Sequence, residues 1–556
     1  MSEIRILPLG GMREIGKNMY VVEVDKEMYI LDCGLSYPEE SQFGIDTVIP
    51  DFSYVESNAD QLAGVFLTDG HMDVMGALPY FLEKFDVPVF GTALTIELAK
   101  LAIKNSGLNV STDDFHVIDE DMKIEFEKTS VEFFKTTHTI PDSVGICINT
   151  QAGSIVYTGD FRIDQSTHGQ YRTNLLDIAE IGSKNVLALL SDSTNAESYI
   201  ENASEIRVAE EVRNVFLNSE SRIIVSAVSD NILRIQQTLN AAHHVGRKVF
   251  LTGKEIEKIL EAAIKLGKLE LPEEDLIQPI ENLGMYDKNQ IIILDASGPG
   301  ESIKQIERMA EGFHQQVTIE KGDLVYIVTS PSVSLDVQMG VMKNKIYRAG
   351  GTVETISDNI FASGHGTPDE LKLMLNLIQP TYFIPVQGDY SMLSKHAHLA
   401  LEVGLPSDHV FILKNGDVIT YDTEKEEAHV SGQIQTGNVL VDGSGVGDIG
   451  NIVLRDRRIL SEDGVLVAVV TIDRRKKQIL SGPKIITRGF VFVKESGGLI
   501  EQSETIVRQS VEKILAEKKF DWGTLKQEIR DNLSKELYKQ TNRRPIILPV
   551  ITAVKS

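Results

Sequence analysis

The sequence predicts an α/β protein of several domains. Three observations carry that expectation. The chain has 556 residues, too many for one core, and 42% of them are hydrophobic, enough for several. Short apolar runs such as 62–67, 154–157 and 187–190 end on polar islands, as buried strands do. From about residue 205, strand patterns alternate with helical ones, which predicts a parallel sheet.

Composition narrows the class. The formal net charge is −26, which argues against non-specific nucleic-acid binding and leaves room for RNA only in a local channel. Cys33 and Cys147 are the two cysteines, both in apolar surroundings, and are expected to be reduced core residues of a cytoplasmic protein. No apolar run is long enough to span a bilayer, so no membrane role is expected. The first residues, Met1 to Arg5, lack the apolar region of a signal peptide.

In order along the chain, residues 4–33 alternate apolar and polar positions and predict strands joined by glycine-rich and charged turns. Pro79 to Lys104 has helical spacing, interrupted at 87–91 by a strand pattern. Residues 115–159 are strand-rich, and 187–192 is a further buried strand. Strand 222–226 and helices 231–242 and 255–266 begin the second α/β unit. A short amphipathic helix at 370–378 precedes a strand at 382–386. Residues 432–450, rich in Gly, Ser and Asp, read as a linker. Beyond it a smaller α/β piece has strands at 465–472, 489–494 and 545–550 and a helix at 499–517.

Five polar islands punctuate these elements. Thr68-Asp69-Gly70-His71-Met72-Asp73-Val74 follows the first buried strand. Thr137-His138-Thr139 supplies a histidine, Thr158-Gly159-Asp160 a carboxylate able to bridge two cations, and Ser191-Asp192-Ser193 an acid. Phe361-Ala362-Ser363-Gly364-His365 offers backbone N–H groups and an imidazole, suited to a phosphate.

The first island resembles the His-x-His-x-Asp-His signature of the metallo-β-lactamase fold, with His71 and Asp73 in place and Asp69 and Val74 where histidines belong. All five islands together resemble ribonuclease J, of the β-CASP branch of that superfamily. The resemblance extends to Thr487-Arg488-Gly489-Phe490-Val491 and Arg544-Pro545-Ile546-Ile547-Leu548-Pro549-Val550. It implies a metallo-β-lactamase αββα sandwich over 1–205 and 366–432. A β-CASP domain at 206–365 is inserted into it, a linker occupies 433–451, and a C-terminal dimerisation domain occupies 452–556.

Carried over by position, one metal site would be Asp69, His71, His138 and Asp160, and the other Asp73, Val74, Asp160 and Gln387. The family has histidine at the positions of Asp69, Val74 and Gln387. At most one well-formed site is therefore expected, for Zn²⁺ or, given the added carboxylate, Mn²⁺ or Mg²⁺. The second site is expected to be empty. His365, oriented by Asp192, would meet the scissile phosphate, with Asp73 the third candidate catalytic residue. Phe361 stands where the family has another histidine. The 5′-phosphate pocket maps to Ser229-Asp230-Asn231-Ile232-Leu233-Arg234, where Asp230 would repel a phosphate.

The resemblance implies RNA decay and processing: 5′→3′ exonucleolytic, with endonucleolytic cleavage as a further mode, in mRNA decay and rRNA maturation. The family includes a second paralogue with an incomplete metal site, and this chain looks like it. Weak or absent activity alone is then expected, with action in complex with a catalytic paralogue. Self-pairing is expected when the chain is alone, and RNA degradosome components are further partners. The alternative is a purely non-catalytic scaffold of that complex.

Overall fold

The computed structural model describes residues 3–39, 42–167, 169–253, 255–298, 300–329, 335–356, 360–443, 445–491, 497–517 and 520–554. The chain divides into two compact units, 1–36 with 49–438, and 37–48 with 439–556.

The first unit contains two sheets facing each other. One has eight strands in the order 427–433, 417–422, 3–10, 19–24, 27–31, 62–66, 89–91, 115–117. The other has six, in the order 382–386, 186–192, 154–157, 144–149, 130–135, 123–125. Period-2 alternation sends one set of side chains inward from each sheet. Tyr20, Val22 and Tyr29 from the first meet Val131, Ile146, Tyr157 and Ile384 from the second in one apolar core. The opposite face of the second sheet, with Cys147, Val156 and Leu189, is covered by helices Leu175–Gly182, Pro368–Ile378 and Tyr390–Glu402. Both cysteines are buried and free. Strands from beyond residue 380 thus pair with strands from before 200: Tyr382–Val386 runs parallel to Val186–Asp192, and Asp417–Asp422 antiparallel to Glu3–Gly10.

Between these segments lies a third sheet of six strands, ordered 277–278, 248–252, 291–297, 223–228, 324–327, 352–355, with every pairing parallel. Its strands are near-continuous apolar runs, Ile223-Ile224-Val225 and Ile291-Ile292-Ile293-Leu294, as burial on both faces requires.

The second unit pairs strand Val465–Asp473 antiparallel with Gln478–Arg488 and parallel with Ile546–Ala553. Helices Gly497–Ala516 and Trp522–Thr541 cover one face over Leu466, Ala468, Val470 and Ile472. Two expectations change here. The strand expected at 489–494 is not formed at 489–491: the preceding strand Gln478–Arg488 stops at Arg488, where Gly489 takes a left-handed φ of 67°, and 492–494 lie outside the described residues. The stretch read as a linker contains short strands Asn438–Asp442 and Gly445–Val446, and the Val441 carbonyl accepts the N–H of Asp46 at 2.9 Å. Glycine content there marks tight turns rather than free chain. Among the described residues no helix is long and apolar enough to cross a membrane.

Candidate functional site

Five strand ends deliver the polar islands to one place. Leu62–Phe66 runs on to Asp69, Ser130–Lys135 to His138 and Ser154–Tyr157 to Asp160. Val186–Asp192 ends on Asp192 itself, and Tyr382–Val386 leads into Gln387. Tyr157 is in register with Leu190 and Asp192 with Val386, so Asp160, Asp192 and Gln387 emerge at the same edge. Beneath them the buried Asp32 ties the two sheets together. It accepts the Thr68 N–H at 2.9 Å and the Tyr157 hydroxyl at 2.7 Å.

Asp69, His71 and His138 hold ligand atoms within 4.8 Å of one another. Asp69 Oδ1 accepts both the N–H of His71 and its Nδ1–H, each at 2.8 Å. Burial acts against both charges, yet the Asp69 carboxylate outweighs it and raises His71 to about 10, while the imidazolium holds Asp69 at about 2. His71 Nε2 lies 3.0 Å from the Thr139 hydroxyl. Burial and the neighbouring His71 push His138 down to about 3, so its ring is neutral. The His138 Nδ1–H donates to the Gly364 carbonyl at 2.8 Å, which leaves the Nε2 lone pair available.

A second group has formed around Gln387. Its amide Nε2 donates to Asp73 Oδ2 at 3.2 Å and to Asp160 Oδ2 at 3.1 Å, while its own Oε1 is buried without a partner. Burial pushes Asp73 and Asp160 upward, and Asp192 raises Asp160 further. Gln387 has a φ of 55°, and Arg13, Lys17 and Asp32 on the adjoining loops are also left-handed without being glycine. Such backbone persists only where its surroundings dictate it. Val74 is wholly buried, and its carbonyl accepts the Cys33 N–H.

Asp160 groups with Asp192 and His365 rather than with His71 and His138. The His365 Nδ1–H donates to Asp192 Oδ2 at 2.8 Å, and Asp192 Oδ1 accepts the Thr194 N–H and hydroxyl at 2.9 and 2.7 Å. Burial opposes charge on both, but the pair raises His365 and lowers Asp192. The loop holding His365 closes against His138 because residue 364 is glycine: a Cβ there would lie 2.7 Å from His138 Cε1.

Family models match four stretches: "Metallo-beta-lactamase superfamily" at 12–181, "Ribonuclease J, beta-CASP domain" at 220–336, "Zn-dependent metallo-hydrolase RNA specificity domain" at 353–413 and "Ribonuclease J C-terminal domain" at 452–554. A protein named Ribonuclease J 2 from Streptococcus pyogenes serotype M3 is 46% identical over 555 residues, covering 100% of both chains. Another of that name from Staphylococcus aureus is 44% identical over 553 residues, covering 100% of this chain and 99% of that one. The chain belongs to the ribonuclease J family. In fold it is also like a solved protein of unknown function from Enterococcus faecalis V583, with a TM-score of 0.54, 17% identity, and coverage of 75% of this chain and 100% of that one.

Ribonuclease J membership implies metal, and the two positions answer differently. The first fits a cation: Asp69 Oδ2 is buried without a partner, and the His138 Nε2 lone pair is available. His71 would have to release Asp69 or Thr139 to join them. The second does not fit. An amide already donates to both of its carboxylates, and valine has no lone pair to offer.

Two residues of the stretch expected to bind a 5′-phosphate are engaged elsewhere. Asn231 accepts the Arg234 N–H at 3.0 Å as a helix cap. Arg234 is buried, its guanidinium bonded to Glu205 and Gln237, and so is withdrawn from any phosphate. Asp230 sits close enough to His71 and Asp69 to feel both charges, with burial the main cause of its raised pKa. Phe361 contributes its carbonyl, which accepts the Ala203 N–H at 2.8 Å, and Ala362 is buried beside it.

The sequence reasoning missed the residues that brace this loop. Asn202 donates to the His365 carbonyl at 2.9 Å and accepts the Ser363 N–H at 3.1 Å. The buried Arg162 donates to Glu205 at 2.9 Å and to the Ser363 carbonyl at 3.2 Å. The available signal was Arg162 two residues before Asp164 beside a buried strand, a charge that burial tolerates only when paired.

Proposed function

We propose that this chain is a cytoplasmic ribonuclease J-type protein of RNA decay and processing whose second cation position has closed. It is weak or inactive alone and acts mainly in complex with a catalytically complete ribonuclease J paralogue. The observation that carries this reading is the Gln387 amide bonded at once to Asp73 and Asp160. Hydrolysis of a phosphodiester between two cations uses both to neutralise the attacking and leaving oxygens. Losing one such stabiliser costs on the order of 3–4 kcal/mol, about 10²–10³ in rate. Asp69 and His138, joined by His71 once it releases Asp69 or Thr139, would hold the one remaining ion, whose chemistry when bound is to acidify water. The Asp192–His365 pair would orient the phosphate.

The non-catalytic alternative draws on His71, whose two ring nitrogens are both engaged, by Asp69 and by Thr139. Pairing through the C-terminal domain draws on the sheet face away from its helices. There Ile486, Val467 and Leu548 stand in register beside Val469 and Val550, and Ile486, Leu548 and Val550 are each more than two-fifths exposed. A contiguous apolar row of this kind suits an interface.

Hydrolysis of a 5′-monophosphorylated single-stranded RNA, measured for this chain, for the paralogue and for their mixture, tests the reading. The expected result is slow or no cleavage alone and faster cleavage by the mixture than by the paralogue. Cleavage by this chain alone at the paralogue's rate would contradict it. Analytical ultracentrifugation of the full chain and of residues 1–450, each with and without the paralogue, reads the interface. Unchanged association after truncation moves it elsewhere.

A further inference from the structure

We propose that Arg13 and Tyr390 form a stacked platform at the rim of the site that takes a nucleotide of single-stranded RNA. The inference rests on the RNA-binding reading above and names the residues that would do the binding. The Arg13 guanidinium lies 4.9 Å from the centroid of the Tyr390 ring. Its Nε donates to the Leu413 carbonyl at 3.1 Å. Among the described residues its two terminal nitrogens have no partner and no carboxylate neutralises it. Both residues face solvent, Tyr390 at 55% exposure, and Ile15 extends the surface at 48%.

The platform is fixed to the candidate site. The Gln387 N–H donates to the Gly11 carbonyl at 2.8 Å, and the Gly388 N–H to the Glu14 carbonyl at 3.0 Å. The loop with Arg13 is therefore clamped to the strand end that presents Gln387, three residues before Tyr390. Arg13 also has a φ of 59°, a conformation that glycine takes freely and arginine does not. The Leu413 bond and the ring contact anchor the Arg13 side chain without using its terminal nitrogens, which stay open although the backbone beneath is strained.

The chemistry matches RNA. A guanidinium plane and an aromatic ring are the two surfaces on which unpaired bases stack, and the free guanidinium nitrogens suit a phosphate. In a chain of net charge −26 an arginine without a carboxylate partner offers a phosphate a local positive charge.

Binding of a fluorescein-labelled single-stranded RNA to the full chain, read by anisotropy over a salt series, tests this, alongside melting temperature. Tyr390→Ala is expected to weaken binding about 5- to 100-fold with no change in salt slope, because stacking is uncharged. Arg13→Gly is expected to weaken binding and to reduce the slope by roughly 0.7, one phosphate contact on a single strand. It should not lower the melting temperature, since glycine relieves the backbone. Wild-type affinity and slope in both variants overturns the proposal while leaving the RNA-binding reading intact. A lowered melting temperature with unchanged RNA binding in Arg13→Gly also overturns it, by giving Arg13 a structural role. If wild type itself binds no RNA, both readings fall. Weakened pairing with the paralogue and unchanged RNA binding in either variant makes the rim a protein contact and likewise overturns the proposal.

Discussion

The groups around Asp69 and around Gln387 sit at neighbouring strand ends, yet their buried carboxylates are satisfied in opposite ways. At the first, Asp69 pairs with His71 through one oxygen, and its other oxygen stays buried and unpartnered. At the second, the Gln387 amide donates to both Asp73 and Asp160. The contrast shows that the positive end of an amide dipole can satisfy two buried carboxylates without a cation. Merely removing a ligand leaves unpaired buried carboxylates, which cost several kcal/mol each.

The largest expected effect breaks the second position. Gln387→Leu removes the donor and leaves Asp73 and Asp160 facing each other in a buried setting. Leaving a buried polar group without its partner costs about 1–3 kcal/mol for each carboxyl, so the melting temperature of metal-stripped protein should fall by several degrees. A shift under 2 °C would show that the amide is not what holds the carboxylates.

A smaller effect reopens it. Val74→His alone should destabilise by about 1–3 kcal/mol, because it forces a polar ring into a filled core position. Val74→His with Gln387→His and Asp69→His should then gain one equivalent of bound metal and raise RNA cleavage more than any single change. Full activity from Asp69→His alone would mean the missing part belongs to the first position.

The smallest effect concerns the ion pair at the first position. Asp69, at about 2, contributes stability above the ordinary carboxylate range and loses it only as pH falls through about 2. His71, raised to about 10, contributes fully below its unfolded value of about 6.5, and the contribution is lost as pH rises through about 10. Metal-stripped wild type should therefore lose melting temperature between pH 7 and 10, and Asp69→Asn should show a flatter slope over that window. Parallel slopes would remove the ion pair from the account.

Much of this was legible in the sequence, and the exceptions have physical causes. The sheet ends were readable because each buried strand stops at a polar island, which places Asp69, His138, Asp160 and Asp192 at one edge. That Asp192 faces His365 followed from family order, although 173 residues separate them. The grip of Gln387 on Asp73 and Asp160 was not readable, since it spans 314 and 227 residues and depends on an amide orientation no spacing encodes. Arg234 was misassigned because a basic residue in a phosphate-pocket motif looks the same whether its guanidinium meets a ligand or, as here, Glu205. The helix Trp522–Thr541 had a clear signal that went unused: Leu525, Ile529, Leu533 and Leu537, all buried, recur every fourth residue.

The central claim is that one cation position remains and the other has closed. Elemental analysis of freshly purified full-length protein, with metal counted per chain, tests it most directly. At most one equivalent of Zn²⁺, Mn²⁺ or Mg²⁺ is expected, lost on chelation without unfolding the chain. Two equivalents per chain would contradict it.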